Sequence, residues 1–106
     1  MKVSDLRRHE DVREGRVAKD RAYAVEADRL ALAGAVSVAV VRYRSECGLT
    51  QTAFAAEMGW KQPQVARLER GDVTPSWETL ERLARAGVIE VHLGRQGTIV
   101  RELASA

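Results

Sequence analysis

Apolar positions along the chain follow two periods, and the change falls near residue 88. Between residues 20 and 87 they recur at helical spacing. Tyr23, Ala27, Leu30 and Gly34 fall on one stripe, and Val36, Val40 and Cys47 continue a core-facing row towards Leu49. Phe54, Ala55 and Met58 form the apolar face of a short run, and Val65 and Leu68, three apart, that of the next. Trp77, Leu80, Leu83 and Ala84 then repeat at i, i+3, i+6 and i+7, with Ser76 as the N-cap and Gly87 as the stop. Beyond Gly87, Val88, Ile89, Val91 and Leu93 face Thr98, Ile99 and Val100 across Gly94-Arg95-Gln96-Gly97, which predicts a β-hairpin. His92 alternates with Val91 and Leu93, so solvent or a cross-strand neighbour is expected beside it rather than a metal.

Two stretches fit neither period well. In residues 1–22 charges alternate densely, and Leu6, Val12 and Val17 are spaced too unevenly to share a helical face. Met1–Glu14 therefore reads as a disordered or marginally helical arm, either a solvated face or a partner-binding one, with His9 exposed. Ala35–Val41, AVSVAVV, is rich in β-branched residues that would also suit a strand. Helical composition resumes over Arg42–Gly48, which favours helix, and Gly34 is expected to mark a kink or a boundary between two helices. The chain divides into a charged arm over 1–19, a helical domain over 20–87 and a hairpin with its tail over 88–106.

The most sharply punctuated stretch is Leu49–Arg70, LTQTAFAAEMGWKQPQVARLER. Thr50 can cap a helix by accepting an unpaired amide of its first turn. Gly59 stands where the chain must reverse through positive φ, and Pro63 suits the first turn of the helix that follows. Gly71 ends that second helix. The pattern is a helix-turn-helix over 50–70.

Thr50-Gln51, Ala55, Gly59, Val65, Leu68-Glu69 and Gly71, with Pro75 beyond, resemble the Cro/CI or Xre family of phage-repressor DNA-binding domains over about residues 36–86. The resemblance implies a mainly α fold: a phage-repressor-like helix-turn-helix bundle, here with an N-terminal helical extension and a C-terminal β-hairpin. It also favours helix for 35–41, since a helix precedes the capping Thr in that fold. In this class the second helix of the motif enters the major groove with its N-terminal residues against base edges. Those are Lys61, Gln62, Pro63 and Gln64, with Arg67 one turn on. Gln pairs bidentately with adenine and Arg with guanine, while Lys61 suits a phosphate or a guanine. Pro63 offers only apolar contact with a thymine methyl. Gln51 and Arg70 are expected at phosphates. The resemblance further implies an ion pair between Arg44 and Glu69 beneath the motif. Three departures stand out: Phe54 for the usual Leu, Ala53 where a Glu often completes a capping box, and Trp60 at a turn position usually smaller. Trp60 is expected to fill core volume.

A basic upstream helix, this domain and a terminal strand pair after LERLARAG resemble the HigA-type antitoxins. That resemblance implies a homodimer that represses its own operon at a palindromic operator and neutralises a RelE/HigB-like ribonuclease toxin. A stand-alone Xre-type regulator and a helix-turn-helix used as a protein-interaction module are the alternatives. Either the hairpin or residues 20–41 are expected to hold the dimer together. A helix around Asp20–Ala33 sets Tyr23, Ala27 and Leu30 beside Arg21, Glu26, Asp28 and Arg29, so it either docks on a partner or packs on its own domain.

Composition narrows the classes further. The 106 residues are 45% hydrophobic and 30% charged, which suits one globular domain. The net charge of +2 is small, but residues 42–71 carry five Arg or Lys against three acids, whereas 72–106 carry four against five. The excess of positive charge thus sits in the proposed reading unit. Cys47 is the only cysteine and reads as a small hydrophobe on an inner helical face, so no intrachain disulfide or cysteine-based metal site is expected. Lys2–Arg21 has no apolar run of signal-peptide type, and Leu30–Val41 is too short to span a bilayer, so a cytoplasmic location is expected. No Ser/His/Asp arrangement, Gly-rich phosphate loop or HExxH is present, and an enzyme and a resident cofactor are both unexpected.

Overall fold

The computed structural model describes residues 3–103, with side chains from residue 18 onward. Four helices precede two strands: α1 (Val3–Cys47), α2 (Gln51–Met58), α3 (Gln62–Arg70), α4 (Trp77–Arg85), β1 (Ile89–Gly94) and β2 (Gly97–Glu102). The mainly helical bundle with its terminal hairpin is the class expected from the sequence. The side chain of His9 lies outside the described residues.

α1 differs from expectation in its extent. It has 45 residues and, at about 1.5 Å per residue, accounts for the 69 Å longest dimension. It starts at Val3 rather than near Asp20, and no break separates residues 3–19 from the rest. The uneven spacing of Leu6, Val12 and Val17 did not forbid a helix. No proline interrupts residues 3–47, and the strong helix formers Ala and Arg are, with Val, their commonest residues. Gly34 does not end the helix, which runs on to Cys47. One interior Gly costs roughly 0.5–1 kcal/mol, which the burial of Val36, Ala39 and Val40 just beyond it outweighs. The β-branched run 35–41 is helical for the same reason.

The core gathers Val36, Ala39 and Val40 of α1, Phe54, Ala55 and Met58 of α2, Val65 and Leu68 of α3, and Leu80 and Leu83 of α4. Phe54 is fully buried and meets Tyr43 and Trp60 edge-on, with centroids 5.8 and 6.3 Å away. The larger ring at 54 is thereby used to bridge α1 to the turn, and Trp60 is half-buried against the core as expected. Val88 and Ile89 close the bottom of the same core, so the hairpin grows directly out of it.

β1 and β2 pair antiparallel, with Val91 opposite Val100 and His92 opposite Ile99. β2 packs on α1, and Arg42 of α1 holds Glu102 in an ion pair. The hairpin is therefore covered by a helix of its own chain. Val91 and Val100 are half-buried, whereas Leu93 and Ile99 are exposed and, by the register, lie on opposite faces of the sheet. Leu93 shares the face of Val91, whereas Ile99 lies on the other, so the three do not form one apolar surface.

Two side chains, Cys47 and Trp77, sit elsewhere than the sequence reading put them. Cys47 is exposed, because the core-facing row of α1 runs out of neighbours after the half-buried Tyr43. Trp77 is 54% exposed, since Leu80 and Leu83 point into the core about a quarter-turn away. Tyr23 and Leu30 are 78% and 54% exposed, so their stripe does not pack on the body of the domain. Among the described residues, no helix is long and apolar enough to cross a membrane.

Candidate nucleic-acid interface

The motif is shaped by four local devices. Thr50 is the N-cap of α2, its Oγ1 accepting from the Ala53 amide at 3.0 Å. Gly59 ends α2 at φ 71°, and the Trp60 amide donates to the Ala55 carbonyl at 2.8 Å, which fixes the turn. Lys61 is the extended N-cap residue of α3 and makes no side-chain cap, while Pro63 in the first turn lacks only an amide that would be unpaired there. Gly71 ends α3 at φ 72°, and a Cβ on it would lie 3.4 Å from that of Ser37. That is an ordinary contact distance, so it is the positive φ that calls for glycine at 71.

Beneath this motif Arg44 and Glu69 come together. Arg44 donates from Nε to Glu69 Oε2 at 2.9 Å and from Nη2 to Oε1 at 2.6 Å. Its Nη1 donates to the Leu49 carbonyl at 2.9 Å. Hydrogen bonding to Glu69 raises the Arg44 pKa further above its ordinary value, against the opposing effect of burial. Ser37 adds a second tie by donating to the Glu69 carbonyl at 2.5 Å. Both contacts join α1 to the last turn of α3. Burial, with the neighbouring Cys47 thiol next in effect, raises the pKa of Tyr43 on the same side of the motif.

The outer face of α3 is the opposite in character. Lys61, Gln62, Pro63, Gln64, Arg67 and Arg70 are all exposed. Among the described residues, Lys61, Gln64, Arg67 and Arg70 make no side-chain hydrogen bond or ion pair. Gln62 is the exception, donating from Nε2 to Gln51 Oε1 at 2.8 Å across the motif. That bond orients Gln62 and leaves its Oε1 and the Gln51 amide nitrogen available outward. The face thus presents three cations, two glutamines held or exposed at its N-terminal end, and no acid.

A second element shares this side. The loop after α3 and the first turn of α4 enclose a shallow cavity of about 160 Å³ with Gln64 and Arg67, lined also by Val73, Thr74, Ser76 and Thr79. Ser76 caps α4 by accepting from the Thr79 amide at 3.2 Å, and Pro75 is buried. Of residues 72–76, the sequence reading used only Pro75 and the Ser76 cap. The clustering of Thr74, Ser76 and Thr79 was the signal that could have placed hydroxyls beside Arg67.

The comparison with curated proteins and that with solved structures each returned no match. A family model described as a helix-turn-helix domain matches residues 37–87, which run from the second half of α1 through α4. Residues 37–87 are thus similar to a helix-turn-helix domain, in keeping with the paired helices α2 and α3, and that similarity supports a DNA-binding regulator.

Proposed function

We propose that this protein is a sequence-specific DNA-binding transcriptional repressor that acts in the cytoplasm as a homodimer on a palindromic operator. The observation that carries this reading is the contrast across α3. Its inner face is locked by Val65, Leu68 and the Arg44–Glu69 pair, while its outer face exposes Lys61, Gln62, Gln64, Arg67 and Arg70, of which only Gln62 is hydrogen-bonded through its side chain, to Gln51. A rigid helix with exposed amide and guanidinium groups is what base-edge readout requires. In this reading Gln62 and Gln64 address adenine, Arg67 addresses guanine, and Pro63 packs on a thymine methyl. Lys61, Arg70 and the outward amide of Gln51 hold phosphates and set the register. Titration of the full chain against the DNA upstream of its own gene, in parallel with a scrambled duplex, tests it. Preference for the natural duplex is expected; equal affinity would leave only non-specific binding or a protein-interaction module.

A narrower form of the reading makes the repressor the antitoxin of a type II pair that neutralises a RelE/HigB-like ribonuclease. It is favoured by the portion of α1 over residues 18–31, which is exposed throughout and surplus to the DNA-binding domain. Co-expression with the product of the adjacent gene tests this form. A stable complex that protects translation supports it, and two proteins that purify separately refute it.

A further inference from the structure

α1 has two apolar faces, and the domain uses one. Leu32, Val36, Ala39 and Val40 face the core. On the opposite side Tyr23, Ala27, Leu30, Gly34, Val38 and Val41 fall on one stripe, spaced four, three, four, four and three residues apart. Tyr23, Leu30, Val38 and Val41 are all exposed. Spacing of this kind is that of a seam between two long helices, and an exposed apolar run of this length marks an interaction surface.

We propose that the partner on this stripe is a second copy of the chain, its α1 running antiparallel. The order of side-chain sizes carries the choice. From residue 23 to residue 34 the stripe reads large, small, large, small. Laid antiparallel about a two-fold axis between Asp28 and Arg29, Tyr23 meets Gly34 of the partner subunit, and Ala27 meets Leu30 of the partner subunit. The same two contacts repeat on the other side of the axis, so each bulky residue enters a gap left by a small one. A parallel arrangement in register would put Tyr on Tyr and Gly on Gly. Ala24 and Ala31 flank the seam and allow the helices to approach closely.

Gly34 supplies an independent observation. It lies in the interior of a continuous helix, where Gly is unfavourable. Its Cα lies beside Gly71 at the end of α3, yet a Cβ built on it would meet nothing within 4 Å, so the packing of its own chain leaves room for a side chain there. A ring from a second helix calls for a glycine. Because α1 is 45 residues long, two copies crossed in this way overlap along most of their length, which supplies the area that a single hairpin lacks. The hairpin turn encloses a cavity with Val25, Asp28, Arg29 and Leu32, which by helical spacing lie on the side of α1 away from Tyr23 and Leu30.

This inference does not depend on DNA binding, and its test uses none. Sedimentation equilibrium of the full chain, from micromolar to hundreds of micromolar, should show a reversible dimer. Ala27→Leu and Leu30→Ala should each weaken dimerisation at least tenfold, by creating two clashes and two voids respectively. The Ala27→Leu/Leu30→Ala double variant restores large against small and should recover affinity to within a few-fold of the parent. Gly34→Ala should raise the melting temperature of the dilute monomer while weakening the dimer, opposite signs that a purely intrachain role would not give. A parent chain that stays monomeric, or a dimer indifferent to all four variants, overturns the proposal. So does a double variant no better than the worse of its two parents, which would exclude antiparallel registry.

Discussion

Arg44 and Glu69 are 25 residues apart in sequence, yet they join through two parallel hydrogen bonds that tie the last turn of α1 to the last turn of α3. The side chains are 20% and 8% exposed, so the pair is largely withdrawn from water. A third bond, to the Leu49 carbonyl, brings the start of the motif into the same knot. One guanidinium therefore sets the position of α3 relative to both α1 and the capped start of α2. Removing one partner strands a charge in a half-buried site, at a cost of about 3–5 kcal/mol. Arg44→Met should lower the unfolding free energy by that order, and Arg44→Met/Glu69→Leu by much less. A double-mutant cycle in urea checks this, and additive losses would show that the two side chains act independently.

On the outer face, the expected effects of two arginines differ in kind. Arg67→Ala should weaken operator binding by about 1–3 kcal/mol and relax selectivity at one base pair. Arg70→Ala should weaken binding to every sequence and lower the slope of log affinity against log salt by about one phosphate contact. Neither residue is buried, so neither change should shift thermal stability appreciably. Gel-shift titrations at several salt concentrations, with one substituted operator per base pair, separate the two roles.

Gln51 has a different part, because its side chain already has a partner. Gln51→Ala removes the acceptor that holds Gln62 at 2.8 Å. Binding to all duplexes should fall through the lost phosphate contact. Discrimination at the base addressed by Gln62 should fall in addition, since a long amide side chain freed of its tether is no longer pre-oriented. Gln62→Ala alone should lose the discrimination and keep most of the non-specific affinity. Identical specificity profiles for Gln51→Ala and the parent would show that the tether does not matter for reading.

How much of this was legible from sequence follows local chemistry closely. Caps and stops are written in single residues, so Thr50, Gly59, Gly71 and Ser76 placed the ends of α2, α3 and the start of α4 within a residue or two. The alternation after Gly87 likewise gave both strands. Long-range placement was less accessible. Cys47 shares the period of the core row but lies one turn past the last packed layer, and period alone carries no information about where packing stops. Tyr23 and Leu30 show an apolar stripe whether it faces the body or the solvent. The Gln51–Gln62 bond joins two residues both marked for DNA, with no sign in the sequence that they touch each other.

The hairpin is where the structure changes the expected outcome of an experiment most. From the sequence, a cut after Gly87 would remove a detachable strand pair and leave the helical domain intact. In the structure Val88 and Ile89 are 3% and 1% exposed and belong to the same core as Leu80 and Leu83. Truncation after Gly87 should therefore destabilise the whole domain rather than release a folded single-domain form. Ile89→Ala isolates the effect and should cost about 2–5 kcal/mol, in line with other large-to-small changes in a packed core. A cut after Ile89, which retains both core residues and removes the rest of β1 and all of β2, should cost less than a cut after Gly87. Leu93→Ser and Ile99→Ser, both at exposed positions, should leave the unfolding midpoint nearly unchanged. Thermal unfolding followed by circular dichroism orders these variants, and a chain cut after Gly87 that melts with the full-length protein would show the hairpin to be an independent appendage.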